Sequence, residues 1–415
     1  MKILYIARLF SGLESSFISK KWNPSGVPTI YKMIERIDKN YETKFIFTSK
    51  DTDTNHKSKW NFKDDKKIKI RGLINEAHVL SGVKYFYSFL PFKIKKILRE
   101  IRQTLSILRS TSKFNPDLIY IDHSNILVAA ILATFYRKIV VLRLMGIYPF
   151  MREVINNFSI KNFIFRLAYS APYKFVICTQ DGSGVENWLS RALSKKVPYK
   201  ALVNGVEKKF NRNKKPHKAL SQLPKNKIIV TFVGKLERYK GCEVFVRALL
   251  DSQIIEKNCF HGLILGTGSI QNFLIKEIKN SGLTKKFTFI ERLPHNQIYQ
   301  AHAKTNIYVS LNQYGNLSNA NLEAINYGSC MIILRPDYEN SIDVFTKKIL
   351  NNSVISISRK ETQNELVKKL LYLHKKKNLI KKLKKNTKSI SKKKLVNWDQ
   401  RIKQETDIFK KLALV

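Results

Sequence analysis

The chain has 415 residues, which at ordinary domain sizes means two domains or three. A hydrophobic content of 44%, with 11% aromatic residues, supports packed cores and excludes a globally disordered chain. The 76 Lys and Arg against 31 Asp and Glu leave a net charge of +45, which speaks to partners rather than fold and points to polyanions: nucleic acid, an anionic membrane face or phosphorylated substrates. In chain order, short apolar runs at 2–7, 43–48, 118–121, 139–142 and 174–178 read as strands, several apolar on both faces as buried parallel strands are. Helical patterns at 27–37 and 93–108 lie between them. Residues 208–224 are polar and Pro-marked and read as a linker. The alternation then restarts, with strands at 228–233, 262–265, 287–290, 307–311 and 331–334 and helices at 242–250, 270–281, 297–303 and 319–327. Repeated βα units predict an α/β protein of two Rossmann-like, doubly wound domains facing across a cleft, with ligands at the carboxyl ends of the strands. The expected division is a first domain at 1–207, a linker at 208–225, a second domain at 226–390 and a C-terminal helix at 391–415.

Three segments carry chemistry. Gly234-Lys235-Leu236-Glu237-Arg238-Tyr239-Lys240-Gly241 joins a strand end to a helix, and two ammonium groups there can neutralise a diphosphate without a metal. Lys is so common in this chain that the pair alone is weak; its placement between two glycines adds weight. Gly266-Thr267-Gly268 follows another strand; its glycines allow close backbone approach to a ligand, and an ordinary turn explains them as well. The stretch Ser310–Gly328 runs from a strand through a polar loop into a helix for which Ser318 or Asn319 can serve as N-cap. Amides at such a helix start suit a phosphate. Glu323, one turn inside, can accept hydrogen bonds from a ribose diol or be a solvated helix residue.

This last segment resembles the donor site of retaining glycosyltransferases of the GT-B fold, in glycosyltransferase family 4 (glycosyl transferases group 1). The family pattern is Glu, seven residues, Glu, Ala, a small apolar residue and then Gly. Its second half stands here as Leu322-Glu323-Ala324-Ile325 and Gly328, and Leu317-Ser318-Asn319-Ala320 is also typical. Lys235, Lys240 and Gly241 match the phosphate-binding pair, and Asn204-Gly205-Val206-Glu207 resembles an interdomain motif. The first Glu of the pair falls on Gly315, and Met145 stands where a His is expected.

The resemblance implies a retaining, metal-independent glycosyltransferase with no cofactor beyond its nucleotide-diphosphate sugar. Lys235, Lys240 and His123 would be catalytic. Gly234, Gly266, Gly268, Asn316, Ser318, Asn319, Leu322 and Glu323 would bind the donor, with Asn316 or a backbone amide in place of the missing Glu. Gly26 in Asn23–Pro28, Arg143 and Gly146 would face the acceptor, a glycan or lipid-linked chain in bacterial surface polysaccharide assembly (capsule, O-antigen or lipopolysaccharide). Thr179–Gly184 reads as a cleft-facing or hinge loop, or equally as an ordinary turn. Asp51-Thr52-Asp53 matches a metal-binding D-x-D, but its polar surroundings favour a plain loop.

Only 18 of the basic residues are Arg, and no nucleic-acid motif is present, so the charge reads as a diffuse field, a compositional bias or a membrane preference. Residues 84–102 mix Lys, Arg and large apolar side chains as a membrane-surface helix does, and 375–394 hold 11 Lys and no acid. Solvated helix faces explain both equally. The four cysteines form no C-x-x-C clip, and the longest apolar run, 126–135, is too short to span a bilayer. The expected location is cytoplasmic, at the inner face of the cytoplasmic membrane. A catalytically silent scaffold and a basic nucleic-acid-binding protein are the alternative readings.

Overall fold

The computed structural model of the chain describes residues 1–50, 60, 64–82, 90–208, 217–294 and 297–413. They form two compact units. The first comprises Met1–Thr179, Glu186–Leu202 and Trp398–Val415, the second Gln180–Val185 and Val203–Asn397.

The first unit is built on eight strands: β1 (Lys2–Arg8), β2 (Glu42–Thr48), β3 (Lys66–Ile68), β4 (Ala77–Leu80), β5 (Leu118–Asp122), β6 (Val140–Leu144), β7 (Phe175–Thr179) and β8 (Tyr199–Leu202). Their order is β3-β4-β2-β1-β5-β6-β7-β8, with every pair parallel except β3–β4. The chain reverses its direction of travel between β1 and β5. The helix Pro28–Asn40 buries Ile30, Met33, Ile34 and Ile37, one stripe at helical spacing, and starts with Pro28 where a missing N–H costs nothing. The last helix, Trp398–Ala413, packs beside it and adds Ile402 and Phe409 to the same core.

One helix of this unit inverts the usual pattern. Phe92–Phe114 buries Arg99, Gln103, Ile107 and Thr111, while Ile94, Ile97, Ile101 and Leu105 are exposed. The inward polar stripe has partners: the Gln103 amide donates to the carbonyls of Ser49 (2.9 Å) and Ser81 (3.1 Å), and Lys50 Nζ reaches Glu100 at 2.8 Å. Residues 84–89 of the expected membrane helix lie outside the described residues.

The second unit has six strands: β9 (Ile228–Val233), β10 (Phe260–Leu265), β11 (Phe287–Ile290), β12 (Ile307–Ser310), β13 (Cys330–Leu334) and β14 (Ile355–Ile357). They run parallel in the order β11-β10-β9-β12-β13-β14, the doubly wound order with its switch point between β9 and β12. All six residues of β10 are buried, as a strand covered on both faces requires.

Three expected boundaries are corrected. Residues 217–225 are no linker: Leu220 and Leu223, one within and one just beyond the short helix Lys218–Ser221, pack on Ile229 and Leu263 in the second unit. Residues 180–185 leave the first unit for the second, and the return to the first unit starts at Trp398 rather than 391. The lysine-rich stretch is split into helices Thr362–Lys375 and Lys377–Lys394, and the second buries Ile380 and Leu383 in the core. Some of its lysines lie along that surface, Lys384 Nζ donating to Thr305 O (2.9 Å) and Lys388 Nζ to Asn326 O (2.5 Å). Among the described residues no helix is long and apolar enough to cross a membrane.

Candidate active site

In the second unit the carboxyl ends of β9 and β12 frame the switch point, where open α/β sheets receive ligands. Lys235 and Lys240 follow β9. The turn that carries them is zipped to the turn after β10: Gly234 N–H donates to Leu265 O and Leu236 N–H to Thr267 O, both at 3.0 Å. Gly266 and Gly268 belong to this contact. A Cβ on Gly266 would lie 1.9 Å from Gly234 O, and one on Gly268 2.3 Å from Leu236 O. In the structure these two glycines bring the two loops together. Glu237 closes the contact, accepting from Ser269 N–H (3.1 Å) and its hydroxyl (2.5 Å).

A single helical turn, Arg238–Lys240, follows, and Gly241 at φ +77° starts the helix Cys242–Leu249. A Cβ on Gly241 would lie 2.4 Å from Leu311 Cβ, and Gln313 N–H donates to Tyr239 O at 3.0 Å. The Lys240 turn thus rests on the loop that leaves β12. Lys235 is exposed and Lys240 half-buried. Burial lowers the Lys240 ammonium pKa; the charge of Asp181 opposes this shift and Lys235 adds to it.

That loop leads into the helix Asn319–Tyr327. Ser318 is its N-cap, accepting from Asn321 N–H at 3.4 Å. Asn319 instead accepts from the Asn204 amide at 2.8 Å, which ties the 203–206 segment to the helix start. Two expected donor contacts are corrected. Asn316 is fully buried: its N–H and side-chain amide donate to the two oxygens of Asp343 (2.6 and 2.7 Å), the amide also reaches Asn312 O (3.0 Å), and its oxygen accepts from Ser310 (2.8 Å). An amide so committed holds a loop and has nothing left for a sugar. Leu322 is likewise buried, in a core with Val206, Tyr308 and Ile325. Glu323 is half-buried, and its charge is felt by the buried His302 and Tyr308. Burial lowers the His302 imidazole to about 4 against that charge.

Gly315 has φ +126°. A Cβ there would lie 2.7 Å from Asp181 O and 2.8 Å from Ser183 N. Any side chain, glutamate included, would strike the 181–183 segment, which crosses the loop and is held by Leu317 N–H to Asp181 O (2.9 Å) and Asp343 N–H to Gly182 O (2.7 Å). Asp343 is itself paired with Arg359 at 3.0 Å. Sequence patterns did not point to Asp343 or Arg359, and marked Asp181 only as part of the Thr179–Gly184 loop. The Gly182 and Gly184 turn was visible, but its partners lie far along the chain.

In the first unit His123 opens a short turn after β5. Its Nε2 sits 2.5 Å from the Tyr169 hydroxyl, and the two rings stack at 5.7 Å. Burial lowers its pKa to about 4, so the ring is neutral near pH 7. Gly26 (φ +93°) and Gly146 (φ +104°) occupy turns. Beside Gly26 lies Gly12, where a Cβ would fall 1.9 Å from Ser25 O; no motif marked it. Arg143 is corrected: it stands inside β6, fully buried, with Nε 3.2 Å from Glu405 and a guanidinium N–H donating to Thr179 Oγ1 at 2.8 Å, and is closed to an acceptor. Asp51-Thr52-Asp53 lies outside the described residues. Among those described, no group of three or more His, Cys, Asp or Glu side chains is arranged to hold a metal ion.

Residues 213–390, a little under half of the chain, match the family described as Glycosyl transferases group 1. A search of curated proteins found no match. Among solved structures, the chain is similar to sucrose-phosphate synthase from Thermosynechococcus elongatus, with a TM-score of 0.70 at 16% identity over 99% of this chain and 98% of that one. It is similar to Anabaena HepE in complex with UDP and glucose, TM-score 0.66 at 15% identity over 99% of each chain. The pneumococcal O-GlcNAc transferase GtfA, in complex with UDP and GlcNAc, matches with a TM-score of 0.62 at 10% identity, again over 99% of each. Residues 213–390 thus match the glycosyl transferases group 1 family, and the chain has the two-domain GT-B fold of these solved structures.

Proposed function

We propose that this chain is a glycosyltransferase that moves a sugar, with retention at the anomeric carbon and without a metal ion, from a nucleoside-diphosphate sugar to a hydroxyl of a glycan or lipid-linked acceptor. The observation that carries the reading is the meeting of Lys240, its neighbour Lys235 and the capped start of Asn319–Tyr327 at the switch point of one sheet. Lys240 neutralises the charge that develops on the leaving diphosphate, and first-turn amides share it. Glu323 accepts from the ribose hydroxyls. The first unit presents the acceptor near Gly26, His123 and Gly146. The complexes of HepE and GtfA with UDP support a uridine donor and make UDP the natural probe. Calorimetry should show UDP binding that weakens about tenfold in Glu323→Ala, the worth of one or two hydrogen bonds. Unchanged UDP-glucose and UDP-GlcNAc turnover in both Glu323→Ala and Lys240→Ala would overturn the reading.

The acceptor-side partner in this proposal is an anionic membrane, at the cytoplasmic face where bacterial surface polysaccharides are assembled. Its support is the inverted helix Phe92–Phe114, whose Ile97 is 60% exposed beside Lys93, Lys95 and Lys96, and the helix Ile160–Tyr169, where Ile160 is 81% exposed beside Lys161. Apolar side chains rimmed by lysines suit a bilayer surface carrying negative charge. The enzyme should sediment with phosphatidylglycerol vesicles. Replacing Ile97 and Ile160 by Asp together with Lys93, Lys96 and Lys161 by Glu should leave it in the supernatant. Equal pelleting of both forms argues against a membrane partner.

A further inference from the structure

The loop that leaves β12 carries two charged neighbours in the second unit. At Gln313 it holds the Lys240 turn, and at Leu317 it holds the backbone of Asp181. Gly315 lies between them and has no room for a side chain, because the 181–183 segment fills that space. The segment brings a carboxylate of its own. One Asp181 oxygen accepts from Ser183 N–H at 3.0 Å and from the Ser183 hydroxyl, which fixes the side chain as a tight turn on itself. Asp181 and Lys240 each shift the other's ionisation, Lys240 lowering the Asp181 pKa and Asp181 raising that of Lys240. A carboxylate and an ammonium on two segments that rest on one loop suit a ligand with an anionic part and a hydroxyl-rich part joined end to end. A sugar diphosphate is such a ligand.

We propose that Asp181 is the sugar-binding carboxylate of the donor site, accepting hydrogen bonds from hydroxyls of the transferred sugar while Lys240 holds the diphosphate. This rests on the donor reading given above. Removing the carboxylate should therefore spare the nucleotide and cost the sugar. The charged groups facing the segment are Lys240 from the turn after β9, and Asp343 with its partner Arg359 behind Gly182. Burial raises the Asp181 pKa to about 6, with the Ser183 hydrogen bonds and Lys240 working against it. The ionised form accepts two hydroxyls and the neutral form does not, so turnover falls as pH drops through about 6.

The test uses the full chain with UDP and UDP-glucose, reading UDP release. Asp181→Asn should bind UDP within about twofold of wild type, lose about 10²-fold in turnover, and lack the acid limb near pH 6. Ser183→Ala, which strips the hydroxyl hydrogen bond from the carboxylate, should move that limb to higher pH and supplies the answer if Asp181→Asn folds poorly. Unchanged turnover and an unchanged limb in both variants would overturn the proposal and leave the donor reading standing. Parallel loss of UDP affinity and melting temperature in Asp181→Asn, with an unmoved limb in Ser183→Ala, would reduce Asp181 to a structural residue. Failure of the wild-type enzyme to bind UDP would sink the donor reading itself.

Discussion

Replacing Lys240 by Ala should lower nucleotide-sugar turnover by about 10²–10³-fold, the usual cost of removing one preorganised group that meets developing negative charge. The loss should fall mainly on kcat. Charge on the diphosphate grows as the sugar bond breaks, so the ammonium interacts more strongly with the transition state than with the bound donor. Lys240 is suited to this by its half-buried position on a turn docked against Leu311 and Gln313, where the charge is poorly screened. Lys235, exposed on the same turn, should cost less when replaced, because water screens it. Lys240→Arg should not rescue fully, since a planar guanidinium fork places its charge differently from a compact ammonium. Steady-state kinetics with UDP-glucose would check the ranking. A Lys240→Ala enzyme within threefold of wild type would remove Lys240 from the mechanism.

Local pattern made much of this architecture legible. The strands Ile228–Val233 and Phe287–Ile290 and the helix Asn319–Tyr327 fall where apolar period and turn residues place them, since each depends on its own few residues. The same holds for the two lysines, which flank a turn readable from its glycines. What stayed hidden depends on distant partners. Arg143 looked like a loop residue because a cation inside a strand makes no sense until Glu405, near the other end of the chain, is brought against it. Asn316 looked like a sugar ligand because it stands beside Gly315, where the first Glu of the pattern is missing; only its bonds to Asp343 show that it faces inward. Gly315 read as a lost glutamate. The backbone of 181–183 turns that loss into a requirement, since the same crossing segment both excludes a side chain and delivers Asp181.

Glu405→Ala should destabilise the first unit by about 3–5 kcal/mol, the cost of stripping a buried charge network of its counter-ion. Glu405 lies on Trp398–Ala413 and is fully buried. Its carboxylate meets Arg401 at 2.6 Å and Arg143 at 3.2 Å, and accepts from the Tyr120 hydroxyl at 2.6 Å. Without it two buried guanidinium groups face each other, on the helix that returns to close the sheet and on β6. The melting temperature of that unit should drop by roughly 10 °C, read by calorimetry. Arg401→Met should cost less, because the remaining Arg143–Glu405 pair is neutral and the methionine fills the space. The network also fixes a pH window. Burial alone would raise the Glu405 pKa, but Arg143 and Arg401 hold it below its ordinary value of 4.5. A lowered folded-state pKa gives stability that is complete above about 4.5 and is lost as pH falls further toward the folded value. Wild type should therefore lose stability below that point, and Glu405→Ala should lack that part of the slope. A Glu405→Ala protein that melts with wild type would show that water or backbone carbonyls neutralise the two arginines, and would release the last helix from its assigned role in holding β5 and β6.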